Sequence, residues 1–134
     1  MLRSMYMVEI ALYGAIAPLG LLLLSSVWAY PAYLEEVVKW LILKNYSDSN
    51  GKSWIAGMLL GTTFGLSEWM LYFTNAWTSG NYEAMLIRLF LTVPMHAITG
   101  LIIGARINRK GEVVVVVLAM VFHFLFNYLV GLML

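Results

Sequence analysis

Five stretches of almost unbroken apolar residues, 6–26, 29–43, 54–77, 84–107 and 113–134, occupy nearly the whole chain. The hydrocarbon core of a bilayer is about 30 Å thick and an α-helix rises about 1.5 Å per residue, so one crossing takes about 20 apolar residues. Four of the stretches reach that length and the second falls short of it. Inside lipid every backbone N–H and C=O must be satisfied by the chain itself, and for segments this long that leaves a helical bundle. The sequence therefore predicts an all-α, polytopic transmembrane helix bundle of about five spans, a single integral membrane domain over residues 1–134. Composition agrees: with 62% hydrophobic and 11% charged residues in 134, a soluble domain of this size could not hide its apolar surface.

The punctuation between the stretches is that of turns. Asp48-Ser49-Asn50-Gly51, Ser79-Gly80-Asn81 and residues 108–111 carry the Gly, Asn, Asp and Ser that favour chain reversal. Pro31 suits the first turn of the second helix, where its missing N–H would have been unpaired in any case. Arg3, Lys44, Lys52, Arg106, Arg109 and Lys110 fall in one set of loops, and the alternate loops, 26–32 and 78–83, have neither Lys nor Arg. Since positive charge collects on the cytoplasmic side, the N-terminus is expected inside and the C-terminus outside. Trp28, Tyr30, Tyr33, Trp77 and Tyr82 then form an aromatic belt at the outer boundary. Absence of cysteine excludes disulfides and thiolate metal sites, and a net charge of +1 offers nothing to nucleic acid.

Against this background the polar residues within spans stand out: Glu35, Glu36 and Lys39 in the second, Glu68 in the third, His96 in the fourth, His123 and Asn127 in the fifth. Each ionised group in hydrocarbon costs on the order of a few kcal/mol, so such a set needs partners or a task. Counted along the helices, all of them fall at mid-membrane or in the outer half, which predicts one cavity opening outward. Glu35 and Lys39, and His123 and Asn127, are four apart and share a face. Gly57, Gly61 and Gly65 form a small-residue stripe leading to Glu68 and Tyr72, and Gly100 and Gly104 continue one from His96, as close helix contacts require. Simpler readings exist for each part taken alone. Paired glutamates suit a helix N-terminus, a buried histidine suits an interhelical hydrogen bond, and Glu112 reads as a solvated flank.

Taken in order, Glu35-Glu36-Val37-Val38-Lys39, Phe64-Gly65-Leu66-Ser67-Glu68, the lone His96 and His123-Phe124-Leu125-Phe126-Asn127 resemble the signatures of the PrsW family of intramembrane proteases, relatives of the CAAX prenyl endopeptidases and bacteriocin-processing enzymes. The matching positions make 31–131 the catalytic core. Lys39 and Glu68 stand where the CAAX branch carries Arg and His, and the chain is shorter than PrsW-like proteins tend to be. The resemblance implies hydrolysis of peptide bonds in membrane-associated substrates. Glu35 or Glu36 would activate water, Glu36 being favoured, with His96, His123 and Asn127 stabilising the oxyanion. Glu68 would orient a histidine or serve as the second acid, supported by Tyr72, and Lys39 would balance charge.

No cofactor is favoured on this reading. A zinc site on His96, His123 and Glu68 is the alternative. Rival functions are a cation- or proton-coupled transporter and a non-catalytic membrane scaffold of the same fold. Expected partners are a membrane-associated peptide or protein, the lipid bilayer and further copies of the chain, with no nucleic acid, in a prokaryotic cell membrane.

Overall fold

The computed structural model describes residues 2–25, 31–46 and 53–133. They form five helices, α1 (Leu2–Ser25), α2 (Pro31–Tyr46), α3 (Ser53–Ser79), α4 (Tyr82–Arg106) and α5 (Glu112–Met133), with no strand among the described residues. The bundle is the expected all-α one. The turn expected at 48–51 and the interfacial Trp28 and Tyr30 lie outside the described residues.

Three segments, Met5–Leu23, Tyr82–Arg106 and Glu112–Met133, are long and apolar enough to cross a membrane by length and composition. With 27 residues α3 is also long enough, but its Ser, Thr, Glu and Asn dilute its apolar character. It compensates by packing extensively on α1 and α4. At 16 residues α2 extends only about 24 Å, so it is the short element foreseen. It is also the central one, in contact with α1, α3, α4 and α5. Encirclement is why a helix with only modest apolar content buries Ala32, Glu35, Glu36, Lys39 and Leu43.

Glycines set the α3–α4 distance. A Cβ on Gly61 would come within 2.7 Å of the His96 carbonyl carbon, and one on Gly65 within 2.9 Å of Val93 Cα, closer than real Cβ atoms approach. These helices therefore meet backbone to backbone, which places His96 against α3. Gly61→Leu must push rigid backbone aside and is expected to cost at least about 1–3 kcal/mol, whereas Gly20→Leu, with open space around it, should be neutral. Thermal unfolding of the two variants in detergent checks this; equal stability would remove the packing argument.

Below the polar cluster an apolar plug closes the bundle. Ile10, Leu43, Leu60 and Ile103 are essentially inaccessible and pack with Ala56, Ile107, Val116 and Ala119. At the same end Lys44 Nζ meets Glu112 Oε1 at 2.5 Å, and Glu112 Oε2 accepts from the Asn108 backbone N–H at 2.7 Å. Glu112, the solvated flank foreseen, is thus also tied into the α4–α5 turn, which needs the positive φ of Asn108 (57°) and Gly111 (84°). At the other end, the Asn81 side chain accepts from the Ala84 N–H at 3.1 Å and caps α4. Large apolar side chains on the outer faces of α1 and α5, among them Leu12, Ile16, Leu23, Val117, Leu118 and Leu125, are exposed as a lipid-facing surface requires.

Candidate active site

The polar face of α2 meets polar residues from α3, α4 and α5 in the middle of the bundle. Glu36 Oε1 accepts from Lys39 Nζ at 2.7 Å and from His123 Nδ1 at 2.8 Å. Lys39 Nζ also contacts His96 Nδ1 at 2.7 Å and Thr99 Oγ1 at 3.1 Å, so the three positions around its nitrogen are all occupied. Thr99 Oγ1 in turn donates to the His96 carbonyl one turn back at 3.2 Å. The Phe64 ring lies 4.9 Å from Nζ and closes this side. Glu36, Lys39, His96 and His123 are completely inaccessible.

The opposite edges of the two imidazoles face Glu35 and Glu68. His96 Nε2 bonds Glu68 Oε2, while Glu35 Oε2 lies 3.6 Å from His123 Nε2 and 4.0 Å from His96 Nε2. The rings stand nearly perpendicular, with centroids 4.8 Å apart. Since His123 directs Nδ1 at the Glu36 carboxylate, a neutral ring keeps its proton there and presents a lone pair at Nε2. That lone pair points at a carboxylate oxygen. Neither Glu35 Oε2 nor His123 Nε2 has a hydrogen-bond partner, although both are buried. Each unmet polar atom of this kind costs about 1–3 kcal/mol.

Charge makes the same demand. Glu35, Glu36 and Glu68 against Lys39 give three negative groups and one positive one, leaving two buried negative charges to be met by two protons or one divalent cation. Glu35, His96 and His123 each offer one ligand atom, all within 4.8 Å of one another. Zinc bonds of about 2.0–2.2 Å hold tetrahedral ligand atoms ~3.3 Å apart, so a small contraction would bring the three into register. His123 also bonds a carboxylate through its other nitrogen, as metal-binding histidines usually do. Glu35 Oε2 and His123 Nε2 present free atoms that fit a divalent cation, whereas His96 Nε2 is engaged by Glu68. Ligation through His96 Nε2 requires the ring proton to sit on Nδ1, against Lys39, or to leave.

A cavity of about 270 Å³ reaches this cluster from the end of the bundle where α2 begins. Pro18, Leu21 and Leu22 of α1, Pro31 of α2, and Leu71, Tyr72 and Thr74 of α3 line it, with Glu35 and Glu68 at its inner end. Tyr72 follows Glu68 by one helical turn of α3 and lines the same cavity.

Several placements differ from the sequence expectation. The carboxylate grouped with both histidines is Glu35 and not Glu68, because α2 runs between α4 and α5 while Glu68 approaches from α3 and bonds His96 alone. Glu36, the favoured water-activating residue, is sealed off and engaged by Lys39 and His123. Lys39 pairs with Glu36 and not with Glu35, its partner by four-residue spacing. Asn127 is exposed and outside the hydrogen-bonded cluster. The buried stripe of α5 runs through Val116, Ala119, His123 and Val130, alternating three and four residues through position 126, and Asn127 sits one residue off it. Sequence reasoning missed Thr99, a polar residue three after His96, and Arg88, a guanidinium inside the fourth apolar stretch.

A membrane bundle that gathers carboxylates and imidazoles at its centre, with a cavity leading to them, belongs to the class of membrane-embedded hydrolytic or ion-handling proteins. The family model described as "PrsW family intramembrane metalloprotease" matches residues 6–134, nearly the whole chain, and the chain belongs to that family. It is an integral membrane protein and an intramembrane protease. No curated protein and no solved structure matches it.

Proposed function

We propose that this chain hydrolyses peptide bonds of membrane-associated substrates at a divalent-cation centre held by Glu35, His96 and His123, zinc being the ion this nitrogen and oxygen set suits best. The observation that carries the reading is the orphaned pair, Glu35 Oε2 and His123 Nε2, buried 3.6 Å apart with two lone pairs facing and nothing bonded to either. When bound, such an ion polarises a carbonyl and acidifies a water.

The remaining roles belong to the chain's own groups. Glu68, at the inner end of the cavity and outside the three-ligand group, takes a proton from the attacking water and returns it to the leaving amine. Glu36 fixes the ring of His123, and Lys39 with Thr99 fixes that of His96. Leu21, Leu22 and Leu71 keep bulk water from the carboxylates. The favoured base thus moves from Glu36 to Glu68, and an ion held by Glu35, His96 and His123 would supply the charge stabilisation foreseen for the histidines.

The direct bond between His96 and Glu68 favours a second, metal-free reading, in which Glu35 activates the water and the two histidines donate hydrogen bonds. Chelation separates the two. In vesicles containing the purified chain, cleavage of a membrane-anchored peptide should fall at least about 100-fold after chelator treatment and return with zinc. Zinc affinity should also weaken as pH falls, because protons compete for the carboxylate and imidazole ligands. Undiminished cleavage by protein shown to be free of metal would establish the metal-free reading instead.

A further inference from the structure

The proposed chemistry does not use Arg88. It is half-buried at the seventh residue of α4, in a helix otherwise apolar enough to cross a membrane, and forms no ion pair among the described residues. Its guanidinium carbon lies 3.9 Å from the centroid of the Tyr72 ring. Tyr72 is a wall of the cavity that has Glu68 at its inner end. A guanidinium stacked through its flat face leaves its N–H edge available, and that edge matches a carboxylate bidentately. Within lipid such a group is costly unless it has an anion to meet.

From Arg88 to His96 is eight residues of α4, about 12 Å along the axis. At about 3.3 Å per residue, and allowing for the length of the arginine side chain, that separation spans roughly two to four residues of extended peptide. The cavity itself, about 270 Å³, is below the roughly 300–1,000 Å³ of pockets that swallow a whole small ligand, and smaller than the roughly 420 Å³ of a single helical turn about 10 Å across with a 5.4 Å pitch. Only unwound chain reaches Glu68. A substrate carboxylate among Glu35, Glu68 and the histidines would take the place of the reacting groups, so it is best held at a distance from them. Arg88 is placed to hold it there.

We propose that Arg88, seated on Tyr72, is a specificity residue that anchors a substrate carboxylate two to four residues from the bond to be cut, selecting extended peptide segments that carry an acidic side chain or a chain end there. This deepens the protease reading above and rests on it. The test uses the full chain in vesicles and three fluorogenic peptides with the same apolar residues at the cleavage site. One carries Asp two to four residues away, one Asn at the same position, and one ends there in a free carboxylate. Each is also titrated by fluorescence onto Glu68→Gln protein, so that binding is read without turnover.

The expected ratio of kcat/KM for Asp over Asn is about tenfold or more, the worth of a charge-assisted pair, carried mainly by KM. Arg88→Gln should bring the ratio to about one, Arg88→Lys should restore part of it, and the bound-state titration should follow the same order. Comparison of the Asp and free-carboxylate peptides tells which source of the anion is preferred. A wild-type ratio near one, or a ratio that survives Arg88→Gln, overturns the proposal. So does a guanidinium whose removal matters only in vesicles containing anionic lipid, which would place it at headgroups. If no peptide is cut by any form yet binding still discriminates through Arg88, the carboxylate anchor stands and the protease reading fails.

Discussion

Glu68→Gln should lower kcat by about 10²–10⁴-fold, the usual contribution of a positioned acid–base group, while the bound metal stays near the wild-type amount. The expectation follows from position. Glu68 lines the inner end of the cavity, whereas the three-ligand group consists of Glu35, His96 and His123. The glutamine amide fills the same space and can still contact His96, so the bundle has no steric reason to change. Initial rates and metal content of the same preparation check both halves. Simultaneous loss of metal and activity would make Glu68 a ligand, as the sequence alone suggested; full activity would remove it from the chemistry.

The second large effect is on stability. Lys39→Met removes the one cation from a group in which Glu36 is completely buried, and it takes away the partner of His96 Nδ1 and one of the contacts of Thr99 Oγ1. Breaking a buried ion pair by deleting one partner costs about 3–5 kcal/mol, because the other charge is left uncompensated. The paired change Lys39→Met with Glu36→Gln should recover a large part of that, since the net charge of the buried group is then that of the wild type. Unfolding in detergent of the single and double variants measures the coupling. Additive losses would mean that the salt bridge is incidental to the fold.

How far the chain could be read from its sequence depends on which physical signal each feature carries. Helix positions were legible because apolar runs and turn residues are local and strong, and even the shortness of α2 could be counted. Which face of a helix is buried was less legible, and this decided the details of the site. Glu35 and Glu36 are adjacent in sequence but about 100° apart around α2, so one meets the cavity while the other is sealed against Lys39 and His123. Asn127 follows His123 by four residues, yet the buried stripe of α5 advances by three at that point and leaves the amide exposed.

Distances across helices were not legible at all. Only the α3–α4 backbone contact at Gly61 and Gly65 brings His96 onto Glu68, and only the central place of α2 puts Glu35 between two histidines from different helices. Thr99 and Arg88 were visible as letters. Thr99 carries no charge to mark it inside a span, and Arg88 has no charged neighbour three or four residues away on α4, so its stacking on Tyr72 of another helix leaves no local trace in the sequence.

The account turns on Glu35, His96 and His123 sharing one divalent cation. The most direct measurement is the zinc-to-protein ratio, by elemental mass spectrometry, of the zinc-loaded, dialysed full chain and of its Glu35→Gln and His123→Ala variants. A ratio near one in the wild type, falling to near zero in both variants while they keep their helical content, is the predicted result. Wild-type protein that retains no zinc, or variants that retain as much as the wild type, would contradict it.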